Sequence, residues 1–271
     1  MRPSSVTTES PAPVSLAALR WGIPDARLSV LLLHGLTSAA GTWWRIASGL
    51  ADAGYSVTAP DLRGHGASPR TEGYRLAAYA ADVAALRPGG PGAGGPGADG
   101  PWDLVIGHSL GAAVAVKAAE SHPGWSRALL LLDPVLTVTE REHDSLLAEL
   151  LADLRQLDAD ALRQANPRWD SEDAVQKVNA VRLVSPRVVE RTVLDNPDWQ
   201  LEDAVERVSA GVRVRALAAD PVRGASFTAE AGERLSAGQP LFDYAVVPDA
   251  GHSVHRDDPA RVLAEVLALL P

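Results

Sequence analysis

Residues 102–116 read WDLVIGHSLGAAVAV, a short apolar run followed by Gly-His-Ser-Leu-Gly and a stretch of small residues. The apolar run predicts a buried strand and the Ala/Val stretch predicts a helix, so Ser109 lies at a sharp turn between them. Gly107 and Gly111 leave room for the backbones to approach at such a turn. The hydroxyl of Ser109 is therefore predicted to be exposed beside the free N–H groups at the start of a helix.

Apolar runs on both sides of this stretch predict the remaining strands, at residues 28–33, 55–59, 128–132, 212–218 and 242–247. Helical patterns separate most of these runs, and residues 14–22 are expected to add an antiparallel strand. Alternation of strands and helices predicts an α/β fold with a mostly parallel sheet flanked by helices. Residues 137–208 show only helical patterns, which predicts a helical cap inserted over the sheet.

This division predicts a flexible tail at residues 1–13, a core formed by residues 14–136 and 209–271, and a cap at residues 137–208. The segment 88–101 is rich in glycine and proline and predicts a flexible surface insertion. With 271 residues, of which 46% are hydrophobic, the chain can bury a large core.

The formal net charge of −9 argues against a nucleic-acid or anionic-membrane surface as partner. The absence of cysteine excludes disulfides and thiolate chemistry. No apolar run approaches the ~18 residues of a membrane span. We expect a cytoplasmic monomer or homodimer that acts on a small-molecule substrate.

A serine nucleophile needs a histidine base and an acid that orients the histidine. His252 directly follows the last predicted strand, and Asp220 directly follows the strand before it, which is where ligands gather in parallel sheets. The order Ser109, Asp220, His252 is the one found in α/β-hydrolases. Asp133 is the alternative acid because it also follows a strand, although it can simply cap the turn before Pro134.

With these residues in view, the chain resembles the α/β-hydrolase fold superfamily, in particular its capped esterases and lactonases. The resemblance covers about residues 27–270 and depends on His34-Gly35, the stretch DLRGHGAS at residues 61–68, GHSLG at residues 107–111, and Gly251-His252. It implies an oxyanion hole made by the backbone N–H groups of Leu36 and Leu110. Many relatives carry a glycine shortly before the acid, where this chain has Ala218-Ala219, so the resemblance supports Asp220 less strongly than the other two residues.

Four further side chains are candidates for substrate binding: Trp44, His108, Trp169 and Trp199. Plain core packing is the competing interpretation for each tryptophan. His34 is expected to brace its loop by hydrogen bonding. His255 follows His252 by three residues, but nothing nearby has the spacing of metal ligands, so we predict neither a metal nor a cofactor.

The predicted activity is hydrolysis of a carboxylic ester or lactone of a small, largely apolar molecule through an acyl-enzyme. The same three residues could instead support C–C bond or thioester hydrolysis. A ligand-binding receptor with little turnover, built on the same fold and cap, is a further alternative from a different class of protein.

Overall fold

The computed structural model describes residues 12–23, 26, 28–88 and 100–270 of the chain. Seven strands form the main sheet in the order β1-β3-β2-β4-β5-β8-β9. The strands are β1 Ala18–Trp21, β2 Ser29–Leu33, β3 Ser56–Pro60, β4 Leu104–His108, β5 Ala128–Leu132, β8 Arg213–Ala218 and β9 Phe242–Val246, with β6 Thr137–Val138 and β7 Trp199–Gln200 forming a separate ribbon. All neighbours in the main sheet are parallel except β1, which pairs with β3 in antiparallel register. The α/β prediction is confirmed.

The central strands β2, β4 and β5 are mostly apolar and buried along their whole length because both faces of the sheet are covered. Along β2, Leu31 and Leu33 face one hydrophobic cluster, whereas Val30 and Leu32 face the cluster on the other side. All four side chains are fully buried. Two-sided burial explains why the sequence shows continuous apolar runs rather than the alternation of a half-exposed strand.

Eleven α-helices occur in the described residues, and several of them cover the two faces of the sheet. They are α1 Trp44–Asp52, α2 Leu76–Ala84, α3 Leu110–Ser121, α4 His143–Asp153, α5 Ala159–Ala165, α6 Ser171–Leu183, α7 Pro186–Leu194, α8 Glu202–Ser209, α9 Ala229–Gly238, α10 Val254–Asp257 and α11 Pro259–Leu269. Among these helices, none is both long and apolar enough to cross a membrane.

The segment between β5 and β8 holds the helices α4 to α8, as the helical patterns predict. It also contains the short ribbon of β6 and β7, which no pattern in the sequence predicts. The last helix of the segment, α8, lies against α3, where Arg207 pairs with Glu120. Most of the predicted tail and the central part of the glycine-rich insertion, residues 1–11 and 89–99, lie outside the described residues.

A buried ion pair anchors the loop after β3 to α2. The Arg63 guanidinium donates to both Asp82 oxygens, at 2.6 and 2.7 Å, and to the carbonyls of Gly73 and Ala78. Both side chains are almost fully buried. The pair is therefore well satisfied, but either partner alone would be a buried, uncompensated charge.

Asp82→Asn should lower the free energy of unfolding by about 3–5 kcal/mol, because it leaves the Arg63 charge buried without its counter-ion. Urea unfolding, monitored by circular dichroism, measures the change in the free energy of unfolding. Glu72→Gln is the matched control, since it removes a carboxylate from the exposed pair with Arg187 and should cost no more than about 1 kcal/mol. Equal losses for the two variants would contradict the prediction.

Candidate active site

Ser109 lies at the turn between β4 and α3, as the sequence predicts. Its backbone has φ +53° and ψ −118°, a conformation that side-chain-bearing residues rarely adopt and that is held by its surroundings. A Cβ on Gly107 would lie 2.5 Å from the Gly111 carbonyl oxygen, and one on Gly111 would lie 2.1 Å from the Leu33 oxygen. Both glycines are required because the helix starts directly against the neighbouring strands.

His252 follows β9 and its ring contacts a carboxylate. Nδ1 of His252 lies 2.6 Å from Oδ2 of Asp133, the residue that directly follows β5. The Ser226 hydroxyl lies 3.2 Å from the same nitrogen. Since Nδ1 shares its proton with Asp133, the second ring nitrogen is left as the basic atom in the neutral ring. His252 and Ser109 line one cavity.

The Asp133 carboxylate is fully buried and saturated with donors. Backbone N–H groups of Ala219 and Phe227 donate to Oδ1, at 3.1 and 3.2 Å, and the N–H of Ser226 donates to Oδ2 at 2.9 Å. Asp133 itself has a positive φ of +37°. Three backbone donors satisfy the buried carboxylate, and its contact with Nδ1 places it to stabilise positive charge on His252.

The prediction that Asp220 pairs with His252 is wrong. Oδ1 of Asp220 accepts from the N–H of Val222, at 3.0 Å, and Oδ2 accepts from the N–H of Asp249, at 2.8 Å. These backbone hydrogen bonds lower the pKa of Asp220. Both oxygens are thus engaged in fixing loops, and the carboxylate that contacts His252 follows β5, the strand next to the Ser109 strand, instead of β8.

The two backbone N–H groups expected to form an oxyanion hole belong to the loop after β2 and to the start of α3. Leu110 is the first residue of α3, and Leu36 lines the cavity with Ser109. In the part of the chain that the structure describes, neither N–H donates a hydrogen bond to a protein group. Both are therefore free to bind an oxygen that carries developing negative charge.

His34 braces the first of these loops. Its Nε2 accepts from the N–H of Leu62 at 3.0 Å, so the ring proton is on Nδ1, which donates to the Gly35 carbonyl at 2.8 Å. Burial lowers the pKa of His34 to about 4, against the opposing effect of the Gly35 hydrogen bond. The neighbouring His65, edge-on to it at 5.1 Å, has its pKa lowered to about 3, again mainly by burial.

Both rings should make the stability of the protein depend on pH. A histidine in the unfolded chain titrates near pH 6.5. Below that pH the unfolded chain therefore binds protons that the buried, neutral rings of the folded protein do not bind. The stabilisation is complete above about pH 6.5 and is lost as the pH falls towards the folded pKa, at up to about 1.4 kcal/mol per pH unit for each ring.

His65→Gln should reduce the slope of the unfolding free energy against pH by about the contribution of one histidine. Urea unfolding at about pH 7, 6 and 5 measures this slope. His122→Gln, which replaces an exposed histidine, is the control and should keep the wild-type slope. An unchanged slope in His65→Gln would show that the ring already titrates in the folded protein.

Residues of the helical segment between β5 and β8 also contact the loop that carries Leu36. Lys177 of α6 donates to the carbonyl of Thr37 at 3.0 Å and to its hydroxyl at 2.8 Å. Asp153 of α4 completes the cluster by contacting both Lys177 and the Thr37 hydroxyl. Burial lowers the pKa of Lys177, and the Asp153 charge opposes that shift. Two helices of this segment therefore fix the loop that carries Leu36.

The cavity has a volume of about 410 Å³ and its lining is mixed. Its apolar part includes Leu36, Val135, Leu146, Leu150 and Leu162. Its charged part consists of Glu149, Asp153, Lys177 and Arg256. The volume suits a small molecule. The charged groups of both signs in the lining do not fit the expectation that the substrate is largely apolar.

Two of the four side chains predicted to bind substrate line this cavity. Trp169 is one, with Nε1 donating to Asp257, and His108 is the other, with Nε2 donating to the His252 carbonyl. Trp44 instead donates to Asp173 of α6, and Trp199 is buried in the core and donates to the Val135 carbonyl. The prediction is wrong for these two tryptophans because packing and Nε1 hydrogen bonds fix them away from the cavity.

The described residues contain no group of three or more His, Asp or Glu side chains that could hold a metal ion. His255 is buried, with its ring centre 4.6 Å from that of Trp43 and 4.7 Å from that of His108. Burial and the charge of neighbouring Arg256 lower its pKa well below the usual value, so the ring packs here as a neutral group.

Sequence reasoning missed the roles of Lys177 and Arg256 in this cavity, and it ranked Asp133 second. A signal for Asp133 was present, since an aspartate directly follows the strand after the Ser109 helix. Lys177 and Arg256 gave no signal, because a cation in an amphipathic helix or beside a histidine is usually exposed.

Comparisons with known proteins agree with this fold. A model described as the alpha/beta hydrolase family matches residues 30–266. The chain is 29% identical to lipase LipV of Mycobacterium tuberculosis over 95% of this chain and 98% of that protein. The crystal structure of E-2-(acetamidomethylene)succinate hydrolase superposes with a TM-score of 0.73 at 22% identity, covering 94% of each chain. That of a thermophilic esterase from Thermogutta terrifontis gives 0.72 at 21% identity, covering 96% of this chain and 94% of that one.

Proposed function

The chain belongs to the alpha/beta hydrolase family, and on that premise we propose that it is a serine hydrolase that cleaves a carboxylic ester or lactone of a small molecule. The observation that carries the proposal is the 2.6 Å contact between His252 and the buried Asp133, in a cavity shared with Ser109. A serine at a strained strand-to-helix turn and a histidine oriented by a carboxylate are the groups that acyl transfer needs.

In the proposed reaction His252 takes the Ser109 proton while Ser109 Oγ attacks the substrate carbonyl carbon. Asp133 keeps its charge throughout, holds the proton on Nδ1 and stabilises the imidazolium that forms. The imidazolium then donates its proton to the leaving alcohol, so the C–O bond breaks and an acyl-enzyme remains.

The carbonyl oxygen becomes negatively charged when Ser109 adds to the carbon. The N–H groups of Leu36 and Leu110 are proposed to receive it, and each such donor lowers the barrier by about 3 kcal/mol. A water molecule activated by His252 releases the acyl group by the same steps in reverse order. In a lactone the alcohol stays attached to the acyl part, so a single hydroxy acid is the product.

Residues 137–208 are proposed to act as the cap over this site. Leu146 and Leu150 of α4 and Trp169 line the cavity from this segment, so its packing would limit the shape of the acyl and alcohol groups. The anchoring of Thr37 by Lys177 would couple the position of the cap to the oxyanion-binding loop.

The test is intact-protein mass spectrometry after incubation with a small alkyl fluorophosphonate, beside turnover of p-nitrophenyl esters of increasing chain length and a set of lactones. We expect one adduct on the wild-type protein, none on Ser109→Ala, and hydrolysis of at least one ester or lactone. No adduct and no turnover would overturn the proposal. Saturable ligand binding that Ser109→Ala leaves intact, again without turnover, would point to a receptor instead.

A further inference from the structure

Arg256 is a buried cation in the wall of the cavity. It lies four residues after His252, on α10, and its side chain lines the same cavity as Ser109. Only 3% of its surface is exposed. Arginine is almost never this deeply buried without a partner, because removing a charge from water is costly.

The protein holds the Arg256 guanidinium in place without satisfying it. Its one hydrogen bond among the described residues is a long contact of 3.5 Å to the Ser38 hydroxyl, and its Nε has no partner. The guanidinium carbon lies 4.7 Å from the ring centre of Trp169, and Trp169 is fixed by the hydrogen bond of its Nε1 to Asp257. Stacking of this kind orients the planar group but leaves its edge N–H donors free.

Arg256 keeps its charge at neutral pH. Burial lowers its pKa to about 10, and the carboxylates of Asp173, Asp153 and Asp257 act in the opposite direction. Within the described part of the chain, none of these three carboxylates forms an ion pair with it. The three carboxylates therefore stabilise the Arg256 charge only through longer-range electrostatic interactions, and no described residue is its direct counter-ion.

Two other buried cations show what a satisfied group looks like in this protein. Lys177, in the same cavity, has acceptors in the Thr37 carbonyl, the Thr37 hydroxyl and Asp153. Arg63 has both oxygens of Asp82 and two backbone carbonyls. Arg256 differs from both in having guanidinium donors without a close acceptor among the described residues, in the wall of the cavity.

We propose that Arg256 binds a carboxylate group of the substrate, so that the preferred esters or lactones are anionic. This inference rests on the proposed function, whose site it shares. A guanidinium edge matches the two oxygens of a carboxylate in a bidentate pair. A substrate carboxylate would supply the counter-ion that Arg256 lacks, and it would fix the distance between the charged end of the substrate and the bond attacked by Ser109.

The test compares matched anionic and neutral esters. With the charge in the acyl part, the pair is the mono-p-nitrophenyl ester of adipic acid and the same ester with a primary amide in place of the carboxylate. With the charge in the alcohol part, the pair is butyryloxyacetic acid and butyryloxyacetamide. We expect the wild-type protein to have the higher kcat/KM for the anionic member of at least one pair.

Arg256→Gln should lower the ratio of anionic to neutral kcat/KM by about 10- to 100-fold, the usual value of a charge-assisted hydrogen-bonded pair. Arg256→Lys keeps the charge but loses the two parallel N–H donors of the guanidinium. Its ratio of anionic to neutral kcat/KM should therefore lie between those of the wild-type protein and Arg256→Gln. Arg168→Gln, which removes an exposed arginine paired with Asp249, is the matched control and should keep the wild-type ratio.

Each outcome decides a different question. If no ester is hydrolysed and the fluorophosphonate does not label Ser109, the proposed function itself fails. If the neutral esters are hydrolysed and neither pair shows a preference in the wild-type protein, the role of Arg256 is overturned while the serine hydrolase stands. This arm uses only the wild-type chain, so it holds even if Arg256→Gln does not fold. A preference that survives unchanged in folded Arg256→Gln would also overturn the role.

Discussion

Asp133→Asn should lower kcat by about 10⁴-fold, whereas Asp220→Asn should lower it by no more than about tenfold. The two variants make the same chemical change at the ends of adjacent strands. They differ in what the carboxylate contacts, because Asp133 holds the His252 ring and Asp220 holds only backbone N–H groups.

The large effect follows from the tautomer of His252. The backbone donors from Ala219, Ser226 and Phe227 require acceptor atoms at position 133. An asparagine must keep its oxygen for them and turn its NH₂ group towards His252. The ring would then accept at Nδ1 and carry its proton on the other nitrogen, so it could not take the Ser109 proton. The buried imidazolium would also lose its counter-charge.

Steady-state kinetics on whichever p-nitrophenyl ester is turned over measures both losses, and the rate of fluorophosphonate labelling should fall in parallel for Asp133→Asn. Unfolding curves for the two variants control for loss of the fold. The assignment would be wrong if Asp220→Asn lost more than about 10³-fold while Asp133→Asn stayed near the wild-type rate.

Ser109→Ala, His252→Ala and the double variant should each lose about 10⁶-fold in kcat, and by nearly the same factor. The losses do not add because the serine and the histidine act as one unit: without the base the hydroxyl is not activated, and without the hydroxyl the base has nothing to activate. The residual rate would come from the Leu36 and Leu110 N–H groups acting on bound substrate.

The double variant is the informative measurement, made with enough protein to exceed the uncatalysed rate. Ser226→Ala is a useful companion, because it removes the weaker 3.2 Å contact to His252 and leaves the Asp133 contact in place. We expect it to lose no more than about tenfold. Losses that multiplied in the double variant would mean that the two residues act in separate steps.

Much of the fold could be predicted because its signals are local. The strands that are covered on both faces appear as continuous apolar runs, and the helices α4 to α8 lie where the sequence shows only helical patterns. The position of Ser109 followed from Gly107 and Gly111. The β6–β7 ribbon could not be predicted in the same way, because two-residue strands joined across some sixty residues leave no periodic pattern.

The same distinction between local signals and contacts of distant residues applies to the site. The sequence by itself determined the α/β architecture, the turn at Ser109 and the loop of His252, since each depends on residues adjacent in the chain. Only the tertiary structure decided between Asp133 and Asp220, because both follow strands and differ only in which loop folds back on them. It alone also brought Arg256 into the cavity without a counter-ion, since the burial of a charge depends on helices and loops that are distant in sequence.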